Sequence, residues 1–220
     1  MTEARLSSPA RVLVLGIGNL LWADEGFGVR CVEFLAQGWR FPASVTLMDG
    51  GTQGLYLLPY VREADALLVF DALDYGDPPG TLREITGEDV PRFMGVKKMS
   101  LHQTGFQEVL AAASLLGGLP RELVLLGVQA ENLEDYGGSL TPAAREKLPA
   151  AAARGLDWLA RWGVPGTPVS PEKAGESAPP FLGAPLALPA YETGRPSPAA
   201  VWRHGDARFF APPPTRPGGA

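Results

Sequence analysis

The strongest constraint on this chain is the stretch at residues 11–30, RVLVLGIGNLLWADEGFGVR. A short apolar run at 12–15 is too brief for a helix and is rich in strand formers. Gly16 and Gly18 then supply a tight turn, and a second glycine pair, Gly26 and Gly28, opens an amphipathic helix over about 26–37. On that helix Phe27, Cys31 and Leu35 recur every four residues, which gives it one apolar face. Asp24 and Glu25 stand just ahead of it. A dinucleotide loop needs a third glycine three positions after the second and bare backbone facing the pyrophosphate. Leu21 holds the glycine's position and two acids follow, so the loop reads as a metal or substrate site, with a plain structural turn as the bland alternative.

The rest of the chain repeats the strand-then-helix pattern. Strands are expected at 45–48, 66–70 and 123–128, and an edge or antiparallel strand at 81–85, where Arg83 and Glu84 interrupt the apolar residues. Helices are expected near 55–62, from about 100 to 116, and from Thr141-Pro142 to about 162, with Pro149 breaking or kinking the last. Mostly apolar strands alternating with helices predict a three-layer α/β/α fold around a largely parallel sheet. The expected domain covers residues 11–163, preceded by a flexible N-terminus at 1–10. From 164 to 220 the composition changes: thirteen of the 22 prolines lie there and no periodicity is sustained. Ordering such a segment costs roughly 1.5 kcal/mol per residue with few apolar groups to offset it, so it reads as a disordered or loosely docked tail. Trp202, Phe209 and Phe210 are its exceptions, placed to dock on the domain or on a partner.

Bulk properties exclude several classes. A net charge of −5 without a basic stripe argues against a nucleic-acid partner. A single cysteine, Cys31, forbids an intrachain disulfide and suits a reducing compartment; on its apolar stripe it reads as a small core residue. No signal-peptide layout or membrane-spanning run is present, so a cytoplasmic protein without a membrane partner is expected. Serine-hydrolase elbow, phosphate loop, zincin helix and paired-cysteine motifs are all absent from the sequence.

Three residues carry the candidate chemistry: Glu25, Asp71 and His102. Each is expected at a strand-to-helix junction or a helix start, and in an open parallel sheet those junctions share the edge formed by the strands' carboxyl ends. Two carboxylates and an imidazole make a first shell for a divalent transition ion with positions left open. A histidine at a helix start is kept neutral by the positive helix end, and a neutral ring binds metal. Taken singly, each has a plainer reading: a helix cap for Asp71 and for His102, a solvated first-turn acid for Glu25.

Five segments, GIGNLLWADEGFGVR at 16–30, DGGTQG at 49–54, FDALDYG at 70–76, SLHQTG at 100–105 and GVQAENLE at 127–134, together resemble the [NiFe]-hydrogenase maturation endopeptidases. The similarity covers residues 11 to about 162 and lies nearest the branch serving uptake, membrane-associated hydrogenases. It implies a twisted five-stranded sheet between helices. The activity it implies is removal of a C-terminal extension from the hydrogenase large-subunit precursor once nickel is in place. It also implies that Glu25, Asp71 and His102 bind the metal and that Asp49 is a catalytic position, a turn former being the alternative for Asp49. The nickel would arrive with the precursor, other divalent ions could fill the site in isolation, and the enzyme would act as a monomer. A nickel-handling chaperone that binds the precursor without cutting it is the runner-up, and a dinucleotide-dependent oxidoreductase the third reading. The resemblance does not account for the tail.

Overall fold

The computed structural model describes residues 11–94, 101–170 and 181–195, with the side chains of 92–94 and 101–104 not among them. β1 (Val12–Ile17) is buried along its whole length, and a 3-10 turn at Ala23–Gly26 leads into α1 (Phe27–Gly38). There follow β2 (Trp39–Arg40), β3 (Val45–Gly51), a 3-10 turn at Gly54–Leu57, α2 (Leu58–Glu63) and β4 (Ala66–Leu73). Then come β5 (Leu82–Thr86), α3 (Asp89–Met94), α4 (Leu101–Leu115) and β6 (Glu122–Gln129). The chain continues through α5 (Pro142–Arg145), α6 (Leu148–Arg161), β7 (Thr167–Pro168) and α7 (Leu188–Gly194).

Five strands form one sheet in the order β3-β1-β4-β6-β5. β1 pairs parallel with β3 and β4, β4 pairs parallel with β6, and only β5 runs antiparallel, at the edge. The expected mostly parallel sheet and the antiparallel edge strand are both present. Side chains of each central strand alternate between two cores. On one face Val14, Leu68, Phe70 and Leu126 pack under α1 and α6, through Phe27, Cys31, Leu35, Ala152 and Leu159. On the other face Leu15, Leu67, Val69 and Leu125 pack under α2 and α4, through Val61, Phe106, Val109 and Leu110. Burial on both faces is why these strands lack a polar alternation.

Because β1 passes to β3 on one side and β3 then returns to β4 on the other, the strand order reverses between β1 and β4. A crevice opens at such a point, beyond the carboxyl ends of the strands.

Two expectations are corrected. Asp71 lies inside β4, which runs on to Leu73, rather than at a strand-to-helix junction, so it caps no helix. Pro149 does not break a helix: it sits in the first turn of α6, where a missing N–H costs nothing, and the interruption falls at 146–147 between α5 and α6. The short α3 was not anticipated.

Of the stretch expected to be a disordered or loosely docked tail, residues 164–220, the described parts, 164–170 and 181–195, pack on the domain. β7 pairs antiparallel with β2, and Leu182 and Tyr191 are buried. Beneath the second part, Arg30 donates to the Leu186 carbonyl at 2.6 Å while Glu33 accepts from the Leu188 N–H at 3.1 Å. A buried ion pair on α1 thus adds polar contacts to the few apolar ones. Among the described residues no helix is long and apolar enough to cross a membrane.

Candidate active site

Three glycines bring the elements of the site together. Gly18 has φ +132°, and a Cβ there would fall 1.7 Å from the Glu25 carbonyl oxygen. A Cβ on Gly28 would stand 2.2 Å from the Phe70 carbonyl oxygen and 2.3 Å from that of Ile17. Gly16 faces Gly28 at similarly close range. The start of α1 thus rests directly on the ends of β1 and β4, and the Glu25 turn folds down over Gly18. In this chain the glycines serve contact between backbones.

Of the two acids in the loop, Asp24 is structural. It is fully buried, and its carboxylate accepts from the Glu131 N–H (2.9 Å), the Asn132 N–H (3.0 Å), the Thr141 N–H (2.7 Å) and the Thr141 hydroxyl (3.0 Å). Its own N–H donates to the Asn132 carbonyl. The loop after β1 is thereby fastened to the loop after β6. Ala23, just before it, holds φ +43°, a conformation that costs a non-glycine residue of order 1 kcal/mol and that these bonds maintain. Glu25, next in sequence, lies in the turn that opens α1 and is 9% exposed.

Asp71 is completely buried near the end of β4, one register step beyond the Gly16–Phe70 pair. By alternation it shares its face with Val69 and Leu73, the face covered by α4. One of its oxygens accepts from the Ala72 N–H at 2.8 Å. Nearby, burial pushes the Tyr75 phenol up, the Asp71 charge adds to the rise, and Arg83, stacked over the Tyr75 ring at 5.8 Å, opposes it. Gln129 holds the loop bearing Tyr75 in shape: its carbonyl oxygen accepts from the Tyr75 and Asp77 N–H groups and its amide donates to Asp74.

His102 is the second residue of α4, as expected for a helix start, but its side chain lies outside the described residues. The first turns of α4 stand on the face of the sheet that Asp71 shares. They also adjoin the loop after β3, since a Cβ on Gly105 would come within 3.4 Å of the Gly54 Cα. Among the described side chains no group of three potential ligands is present, and His102 is not one of those side chains.

Asp49 is placed differently. It pairs in register with Gly16, and alternation along β3 puts it with Leu47 on the face of α1, opposite to that of Asp71. Its Oδ1 is buried and without a hydrogen-bond partner among the described residues. Burial raises its pKa, an effect reduced by the Gly51 N–H and by the positive charge of Arg30.

Sequence reasoning missed Asp24, Gln129 and the Arg30–Glu33 pair. Two of these lay within motifs already singled out, Asp24 beside Glu25 and Gln129 in GVQAENLE, and a buried polar residue within a motif was the available signal.

Residues 29–158 match the family model HycI, described as hydrogenase maturation protease. The hydrogenase expression/formation protein HoxM of Azotobacter vinelandii is 57% identical over 203 residues, covering 92% of this chain and 96% of its own length. At that coverage the match necessarily extends beyond residue 163. The hydrogenase 2 maturation protease of Escherichia coli K12 is 40% identical over 159 residues, covering 72% of this chain and 96% of its own. In three dimensions the hydrogenase maturating endopeptidase HybD from Escherichia coli superposes with a TM-score of 0.69 at 39% identity, over 72% of this chain and 97% of that one.

Proposed function

This chain belongs to the hydrogenase maturation protease family, and from that premise we propose that it is the endopeptidase that removes the C-terminal extension of a [NiFe]-hydrogenase large-subunit precursor after nickel insertion. The observation that carries the reading is the position of two buried acids at the sheet's reversal point. Glu25 follows β1 and Asp71 lies near the end of β4, on the two strands where the order reverses.

The nickel is substrate: it arrives held by the precursor, and Glu25, Asp71 and His102 complete its coordination. Carboxylate and imidazole donors suit such an ion, and buried acids with little competing hydration gain from a cation at the crevice. Cleavage then depends on nickel being present, because the ion is the group through which the two carboxylates and the imidazole hold the precursor. Asp49 is assigned as a catalytic acid. Its carboxyl, held toward the protonated form by burial, is suited to carry a proton. Other divalent ions take the same three ligands when no precursor is present. The enzyme works as a monomer in the cytoplasm, and the hydrogenase it serves is of the uptake, membrane-associated kind.

The test is processing of a purified precursor with and without nickel, followed by mass spectrometry. Loss of a C-terminal peptide only from the nickel-loaded form is expected. Intact loaded precursor, recovered bound to the protein, would establish the chaperone reading instead.

A further inference from the structure

Residues 181–195 create a groove that the α/β domain alone does not possess. Its floor is the junction between the acid-bearing loop and the loop after β6: the Gly137 N–H donates to the Leu21 carbonyl at 2.7 Å, and Trp22 bridges antiparallel to Tyr136. One wall is Leu21 and Tyr136; the other is Pro185, Ala190 and Tyr191 from the docked segment, with Arg195 at the rim. The volume is about 390 Å³. Leu21 and Tyr136 remain 41% and 39% exposed, so the groove presents apolar surface rather than burying it.

The second wall is rigidly attached. Arg30, 3% exposed, bonds Glu33 at 2.7 Å and the Leu186 carbonyl, and lies 5.5 Å from the Tyr191 ring centroid. The Tyr191 hydroxyl donates to the Gly138 carbonyl at 3.2 Å, and Glu192 accepts from Ser139 and Arg145. Glu192 is thus turned toward the domain, while Arg195, exposed, lines the groove with its positive charge close to Tyr191 and Glu192.

We infer that this groove binds the C-terminal extension of the precursor, an apolar peptide whose free carboxylate meets Arg195. The inference rests on the endopeptidase reading above and adds where the extension lies. Apolar walls with one cation at the end complement an apolar peptide segment that finishes in a single free carboxylate. The floor is also continuous with the site: the Glu25 N–H donates to the Trp22 carbonyl at 2.9 Å, so a peptide held there runs along the loop that presents Glu25.

The experiment uses the full chain and an N-terminally labelled synthetic peptide with the sequence of the extension. Binding is followed by fluorescence anisotropy, with processing of nickel-loaded precursor measured in parallel. Ala190→Trp, at an exposed position facing the groove, and Arg195→Glu should each weaken peptide binding about tenfold or more and raise KM with little change in kcat. Amidating the peptide terminus should weaken binding to the wild type and have no further effect on Arg195→Glu. Equal binding and processing by all three proteins would overturn the inference while leaving the protease reading intact. Binding by a wild type that never cleaves loaded precursor would remove the protease reading and keep the groove. Tighter peptide binding after truncation behind Arg195 would assign the groove to this chain's own C-terminal residues and overturn the proposal.

Discussion

The carboxylate of Asp24 accepts both the backbone N–H and the hydroxyl of Thr141, at 2.7 and 3.0 Å, across a separation of 117 residues. Thr141 in turn caps α5, its hydroxyl accepting from the Ala144 N–H. One buried acid therefore ties the loop after β1 to the start of the C-terminal helices, and its neighbour Glu25 is held in place as a result.

The two adjacent acids should respond oppositely to substitution. Asp24→Ala strands three backbone N–H groups, each costing about 1–3 kcal/mol when buried and unpaired, which exceeds much of a domain's total stability. Little folded protein is expected by circular dichroism. Glu25→Gln should fold with a near-normal Tm and fail to process loaded precursor; Asp71→Asn and the His102→Ala variant are expected to do likewise. Wild-type processing by all three would remove the site assignment.

Gly28→Ala should be among the most damaging single methyl additions. Its Cβ would meet two carbonyl oxygens at 2.2 and 2.3 Å, and main-chain atoms cannot swing aside as side chains do. A loss of about 3 kcal/mol or more is expected in urea unfolding. Gly38→Ala, at the end of the same helix with nothing within 4 Å of the added carbon, is the control and should be neutral or gain about 0.5 kcal/mol. Similar midpoints for the two variants would contradict the packing described.

Asp49 sets a pH dependence. Its folded pKa is raised by burial, so the folded state holds its proton more tightly than the unfolded chain. The stability it contributes is complete below its unfolded pKa and is lost as the pH rises through the folded value. Asp49→Asn should therefore raise Tm at neutral pH and flatten the decline in stability as the pH rises above the ordinary carboxylate range, while slowing precursor cleavage. Parallel Tm–pH curves for variant and wild type would show that the carboxyl is compensated.

Two ion pairs attach the 181–195 segment, and burial ranks them. Arg30 and Glu33 are 3% and 4% exposed, so Glu33→Ala leaves a buried guanidinium and should cost about 3–5 kcal/mol. Arg145 is 48% exposed, and Arg145→Ala should cost at most about 1 kcal/mol. For Glu192, burial alone would raise the pKa, but the bonds from Arg145 and Ser139 outweigh it and lower the value. That contribution is present above the unfolded pKa and lost as the pH falls through the lowered one. Hydrogen-exchange protection factors in α7, corrected for intrinsic rates, should fall in acid, and less so in Arg145→Ala.

Several features were legible in the sequence because their causes are local. The apolar run ahead of Gly16 and Gly18, the four-residue apolar repeat on α1 and the mixed pattern at 81–85 were read from neighbouring residues. Asp71 was located at the correct end of its strand but mistaken for a junction residue, since Ala72 and Leu73 continue the pairing with β6 through partners more than fifty residues away. Pro149 was misread because its effect depends on whether it falls in the first turn of a helix or in its interior.

The sequence by itself determined the layered α/β class, the acid-bearing glycine loop and, through five ordered motifs, the kinship with hydrogenase maturation endopeptidases. Only the tertiary structure separated Asp24 from Glu25, set Asp49 and Asp71 on opposite faces of the sheet, and seated the proline-rich segment on a buried arginine. Periodicity records which side of an element faces inward. It carries no information on which distant hydrogen-bond donors converge on one carboxylate, because that depends on the order in which the strands come to lie side by side.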